Sequence, residues 1–431
     1  MRRFLRLALI QRFITSWREE GARPALQKAR NYFILQWHGR APSFLRGRGT
    51  GRTAPEHYLR GTWADIARGK GFHAARSLEH GPRLALIGDL NLSQCRKYRV
   101  EQLAEFWREQ GVTVDYSHYQ DIPRCVRILQ NATHLMEYRL QAMPITEMYR
   151  YEARRLGLPI LWDIDDPLFS VSAYETYGNM AKVAPDLKAH FVSEAPKYAS
   201  MMNGADILSF STPGLVEHAA LYTSRPAYLR RNFADAATLA DGAAAMASKA
   251  QHDEFTVVFA SGSKGHEADF EEIAAPLEAF ITADPARRLM LLGHFDMDAL
   301  SPALAAQSVH HTFIPYDGYL ATLASADVAV MPLMDDQFNH AKSGVRVIDA
   351  ASVGVPAIVS TVGDLSALVT PETGFVAHNP QDWTHALETL AADRPRAAAM
   401  GKAARKALES HWSGQAKDHI IAPELIDWVH R

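Results

Sequence analysis

The sequence predicts two consecutive doubly wound α/β domains, Rossmann-like parallel sheets facing a cleft. Three observations carry this. Apolar runs of strand length alternate with helical patterns from residue 83 onward, the signature of βαβ units. The alternation stops over an Ala-rich stretch after Asp235 and restarts at residue 255. The 431 residues also allow two to three domains at roughly 100–200 residues each, enough for every domain to bury its own core.

The elements follow in order. Residues 83–88 (RLALIG) read as a short buried strand, then a polar loop and a helix from about 96 to 110. Residues 112–116, 132–138, 159–164 and 206–211 are further strands, with Gly111 and Gly157 as helix stops. Residues 235–253 form the link, of helical composition. Strands resume at 255–260 (FTVVFA), 289–293, 311–314, 328–331 and 356–360, with helices at 270–282 and 318–325 between them. Boundaries follow: an N-terminal extension over 1–80, a first domain over 81–235, a second over 236–415, and a C-terminal helix over 416–431 packing back on the first domain. Open α/β sheets bind ligands at the carboxyl ends of their strands, so two of them frame a cleft.

Composition excludes several classes. The 26 glycines and 22 prolines are ordinary proportions, so collagen-like and low-complexity chains drop out. Two cysteines, Cys95 and Cys125, cannot build a disulfide scaffold or a multi-cysteine metal site, and a reduced cytoplasmic compartment fits. The 19 histidines show no HExxH spacing, so no metal site is expected. The net charge of −2 hides an asymmetry: residues 1–52 carry 12 Lys/Arg against Glu19 and Glu20, leaving 34 basic and 46 acidic residues beyond. Nucleic acid is not the expected partner. The apolar residues Phe4, Leu5, Ile10, Phe13, Ile14 and Trp17 interleave with the arginines, which points to an anionic membrane surface. The arginines fall all round a helical wheel, however, so a solvated arm or a helix packed on its own domain competes. No apolar run is long enough to span a bilayer, and Arg6 and Arg12 interrupt any secretory h-region. The expected location is the cytoplasm, at the inner face of the membrane.

Four stretches can carry chemistry. Ser261-Gly262-Ser263-Lys264-Gly265-His266 joins a strand to a helix, where free N–H groups, hydroxyls and Lys264 suit a phosphate and His266 can face a leaving group. A plain βα turn looks similar. In the stretch from Asn339 to Pro356, Lys342 and Ser343 precede a helix on which Arg346 and Asp349 share one face. One suits a phosphate and the other a ribose diol, against the alternative of a surface ion pair. Asp163, Asp165 and Asp166 end the strand PILW, suiting acceptor binding or general-base work by Asp165 or Asp166; helix-capping carboxylates are the alternative. Ser93, Arg96 and Arg99 follow the first strand, with the two arginines one helical turn apart for a phosphate, or simply solvated.

These motifs run in the order of retaining GT-B glycosyltransferases of the large family-4 group: SGSxxHxxDF, LLG, ADVAVMPL, NxxKSxxRxxDAxxxGxP and GxxARx6W, preceded by SQCRKYR, WDIDDPLF and SFSTPGL. Residues 83–415 resemble that group, and the N-x-x-KS signature resembles one subgroup. The resemblance implies a nucleotide-sugar donor on the second domain and a glycan or lipid-linked acceptor on the first, as in surface polysaccharide biosynthesis, with no cofactor beyond the co-substrate. Asp349 matches the second acid of the group's Glu-x7-Glu pattern, the ribose holder. The first acid falls on Ala341, which cannot contact the sugar as a carboxylate does. Tyr316 falls where the group builds its nucleobase pocket. A non-catalytic nucleotide-sugar-binding subunit and an epimerase are the competing functions.

Overall fold

A computed structural model describes residues 10, 13–14, 16–18, 21–37, 81–250, 252–261, 266–415 and 417–431. Its strands form two six-stranded, wholly parallel sheets. The first runs β2-β1-β3-β4-β5-β6, built from β1 (Arg83–Gly88), β2 (Thr113–His118), β3 (His134–Tyr138), β4 (Ile160–Ile164), β5 (Ile207–Phe210) and β6 (Ala227–Leu229). The second runs β12-β11-β10-β7-β8-β9, from β7 (Phe255–Ala260), β8 (Arg287–Leu292), β9 (Ser308–His311), β10 (Val328–Met331), β11 (Ala357–Ser360) and β12 (Gly374–Ala377). The expected two-domain α/β class is therefore observed.

Central strands are buried on both faces, which is why they read as unbroken apolar runs. In β4 every residue is buried: Ile160, Trp162 and Ile164 face one core layer while Leu161 faces the other. The edge strands β6 and β12 escaped prediction because they are three and four residues long and only partly buried. The strand expected at 311–314 lies three residues earlier, at Ser308–His311.

The Ala-rich link is a helix, Ala236–Ala247, started by the Asp235 carboxylate accepting from the Thr238 N–H. Its Ala245 packs with Leu320, Leu323 and Ala350 of the second domain. The chain returns at its end: Trp412, Ile420, Leu425 and Val429 join the core layer of Leu84, Trp107 and Val114. The two domains also share apolar contacts. Phe338 and Ala341 of the second enter the core of the first, and the Phe338 ring stacks on Tyr177 at 4.2 Å. Gly214 permits this approach, since a Cβ there would sit 2.3 Å from the His340 carbonyl oxygen. Among the described residues no helix is long and apolar enough to cross a membrane.

Candidate active site

The carboxyl ends of β1, β3 and β4 meet those of β7 and β10, and charged side chains gather between them. After β3, Arg139 takes a left-handed backbone (φ 53°), unusual for a residue with a Cβ and an indication of a position under functional constraint. Its Nη1 bonds Asp165 Oδ1 at 3.1 Å and lies 3.3 Å from Asp166 Oδ2. The Tyr138 hydroxyl also donates to Asp165. From the opposite domain Lys342 Nζ donates to Asp166 Oδ1 at 3.1 Å and lies 4.9 Å above the Phe338 ring. Burial opposes both charges, yet each is the other's partner: Asp166 is held below the usual carboxylate range by Lys342 and Arg139, and the Lys342 pKa is raised. Of the two carboxylates expected as a base, Asp166 sits between two cations that favour its ionised form, and Asp165 is engaged by Tyr138 and Arg139.

Deeper in the second domain, His266 Nδ1 donates to Asp269 Oδ2 at 2.9 Å. The Asp269 carboxylate is also held by Asn179 Nδ2 from the first domain, Asn339 Nδ2 and the Met334 N–H, at 3.0, 2.9 and 3.0 Å. Burial lowers the His266 pKa, so the ring is neutral near pH 7, with Nδ1–H on Asp269 and Nε2 left as a proton acceptor. Asn339, expected at the donor, is fully buried; its amide braces Asp269, Asp336 and the Met334 carbonyl, so it holds the loop. Close by, Arg346 Nη1 is buried with no hydrogen-bond partner among the described residues. Burial lowers its pKa against the pull of Asp269. Unsatisfied buried guanidinium nitrogens are costly to the fold.

Asp349 is 5% exposed and is not open to solvent. Its Oδ1 accepts from the Tyr316 hydroxyl at 2.6 Å and from Tyr98 of the first domain, whose hydroxyls are 3.0 Å apart. Burial pushes Asp349 up to about 6. The Tyr316 ring carries Lys97 Nζ 4.2 Å from its centroid, so its face is covered. Ser343 Oγ accepts from Asn232 Nδ2 at 3.0 Å, again across the domains.

Arg99 and Asp163, expected to bind acceptor, are fully buried and paired with each other. Arg99 and Arg230 both fork onto the Asp163 carboxylate at 2.6–3.1 Å, with Ser209 Oγ at 2.5 Å, and Arg99 also holds Asn232 and the Arg230 carbonyl. Asp163 is lowered against burial by Arg230 and Arg99. This network ties the π turn and β4 to the segment that follows β6, and its buried charges are spent on one another. Arg96 diverges from Arg99 because the helix widens into a π turn over Lys97–Glu101, and it pairs with Glu101 at 2.7 Å near the surface. Ser93 is exposed one turn earlier. Ser261 is buried and donates to the His294 and Leu292 carbonyls, so its hydroxyl faces inward. Gly262, Ser263 and Lys264 lie outside the described residues.

Sequence reasoning missed Tyr98, Arg139, Asp269, Arg230 and Asn232. Tyr98 and Asp269 lie inside the quoted SQCRKYR and SGSxxHxxDF stretches, and Arg139 directly follows a predicted strand, the place where sheet ligands gather.

Residues 274–417 match the family model described as "Glycosyl transferase-like". A curated relative from Corynebacterium glutamicum, a GDP-mannose-dependent monoacylated α-(1-6)-phosphatidylinositol monomannoside mannosyltransferase, is 31% identical over 156 residues, 33% of this chain. The match spans 41% of that relative's length. Among solved structures, a sucrose-phosphate synthase from Thermosynechococcus elongatus has TM-score 0.54 at 16% identity, covering 78% of this chain and 96% of its own. Anabaena HepE with UDP and glucose has TM-score 0.51 at 12% identity, covering 80% and 100%. At these identities the likeness is one of fold, the two-domain GT-B architecture.

Proposed function

We propose that this chain is a glycosyltransferase that moves a sugar from a nucleoside-diphosphate donor on the second domain to a glycan or lipid-linked acceptor on the first, with retention. The observation that carries this reading is Arg346. Its Nη1 is buried without a hydrogen-bond partner among the described residues, beside Lys342 and the neutral His266, at the carboxyl end of the second sheet. A diphosphate supplies the acceptor oxygens that such a guanidinium needs.

The glycosyl–phosphate bond breaks as the acceptor oxygen bonds to the anomeric carbon. The acceptor proton passes to a phosphate oxygen or to His266 Nε2. Lys342 and Arg346 stabilise the charge that builds on the departing diphosphate, in a site with little water to screen them. Asp349 holds the ribose diol. Arg139 and Asp166 fix Lys342 from the acceptor side. The N-x-x-KS subgroup, a hexosyl donor and a metal-independent reaction belong to the same proposal, since Lys342 and Arg346 supply positive charge at the diphosphate. So does a role in surface polysaccharide or lipid-linked glycan assembly, for which the Corynebacterium relative's lipid acceptor is a parallel.

A binding-only subunit is favoured by one observation. Ala341, where the family pattern has its first acid, is 1% exposed with its carbonyl tied to Thr212. Turnover separates the two readings. The full chain is heated with UDP, GDP and their sugar conjugates, and released diphosphate is measured in the same wells. A ligand at 100 times its Kd raises stability by about 2.7 kcal/mol. Stabilisation with diphosphate release supports the enzyme, stabilisation alone supports the subunit, and no response refutes the donor site.

The arm at 1–52 is assigned to an anionic lipid surface. Ile10, Ile14 and Trp17, spaced i, i+4 and i+7, are 42–47% exposed and share a helical face. Deleting 1–52 should release the protein from anionic vesicles; unchanged binding refutes the assignment.

A further inference from the structure

Three residues assigned to the donor are held by groups of the first domain: Lys342 by Asp166, Ser343 by Asn232 and Asp349 by Tyr98. The partners match the pieces of a nucleoside diphosphate. Asp166 sets a carboxylate oxygen 3.1 Å from the Lys342 ammonium, as a phosphate oxygen would be placed. The Tyr98 and Tyr316 hydroxyls, 3.0 Å apart, both point at Asp349 Oδ1, as a pair of vicinal ribose hydroxyls does. Asp349 and Tyr98 are 5% and 4% exposed, so no ligand hydroxyl reaches this carboxylate while Tyr98 stays.

We propose that Tyr98 is a built-in competitor of the donor: the resting interface ligates its own donor site, and the nucleotide enters only as the first domain withdraws Tyr98 from Asp349. Tyr98 cannot leave alone. The next residue, Arg99, is fully buried and forked onto Asp163, and it bonds the Arg230 carbonyl and Asn232 just after β6. Withdrawal of Tyr98 therefore moves the whole first-domain face, together with Asp166 and Asn232. Donor entry is thereby coupled to domain opening, and an empty enzyme keeps Lys342 and its ribose carboxylate satisfied. This rests on the donor-site reading of Lys342 and Asp349.

The test is titration of the full chain with UDP and with GDP. Tyr98→Phe keeps the ring packing and removes the competing hydroxyl, so the nucleotide that binds the natural protein should bind about tenfold tighter, the scale of one hydrogen bond to a charged group. In an Asp349→Asn background, Tyr98→Phe should change nothing further. Unchanged or weaker binding by Tyr98→Phe, with Asp349→Asn still weakening the nucleotide, overturns the competitor and leaves the donor site standing. Binding of neither nucleotide to any form overturns both. Amide exchange on the unmutated protein provides a second readout. Saturating nucleotide should speed exchange over Lys97–Glu101 and slow it over Val345–Ser352; slowing on both sides overturns the proposal.

Discussion

Replacing Arg346 by methionine should make the protein more stable and less able to bind nucleotide. Nη1 is buried without a hydrogen-bond partner among the described residues, and burial already lowers the guanidinium's pKa. An unsatisfied buried polar group costs about 1–3 kcal/mol. Methionine has a similar unbranched stem and fills the space without a charge. Removing the unsatisfied donor should return on the order of 1–2 kcal/mol, which at about 2–4 °C per kcal/mol raises the midpoint of the second domain by about 2–8 °C. A charge-assisted bond to phosphate contributes about 1.5–3 kcal/mol, so nucleoside-diphosphate affinity should fall by about 10- to 150-fold. Thermal unfolding and calorimetric titration on the same preparation read both quantities. A destabilised Arg346→Met protein that binds UDP or GDP as before would refute the reasoning, because Arg346 would then be a structural residue.

Other outcomes follow from the same contacts. Because burial raises Asp349 from 3.8 to about 6, the folded state favours its protonated form, and this group's contribution to stability is lost as pH rises through about 6. The proposed ribose contact needs the ionised form, so nucleotide affinity should rise over that window and stay flat in Asp349→Asn; titrations from pH 5 to 8 check it. Asp163→Asn leaves the buried Arg99 and Arg230 guanidiniums uncompensated and should cost about 3–5 kcal/mol in denaturant unfolding, whereas an unchanged midpoint would refute this pairing. Gly214→Ala drives a Cβ against the His340 carbonyl oxygen, so the domains should part and the radius of gyration should rise in small-angle scattering.

Much of the fold was legible in the sequence because central parallel strands are buried on both faces, and RLALIG and FTVVFA stand out as apolar runs. The edge strands did not, since AYL and GFVA carry little burial to pattern them. The candidate site is legible by residue type but not by partner: Lys342, Arg346, Asp349 and His266 stand out in the sequence. What a sequence conceals is which group of the opposite domain faces each one. Arg99 and Asp163 look like ligand residues in a chain listing, and only the fold shows that they spend their charges on each other and Arg230. Tyr98 and Asp349 are separated by 251 residues, and no local periodicity relates them.

Product formation by the full chain tests glycosyl transfer. UDP- and GDP-linked sugars are incubated with the protein and bacterial lipid and glycan extracts, and sugar incorporation is followed by mass spectrometry with diphosphate release in parallel. One donor should yield acceptor-dependent product and equimolar diphosphate, with both lost in Arg346→Met and Asp349→Asn. Donor conversion that needs no acceptor, or turnover indifferent to both substitutions, would contradict it.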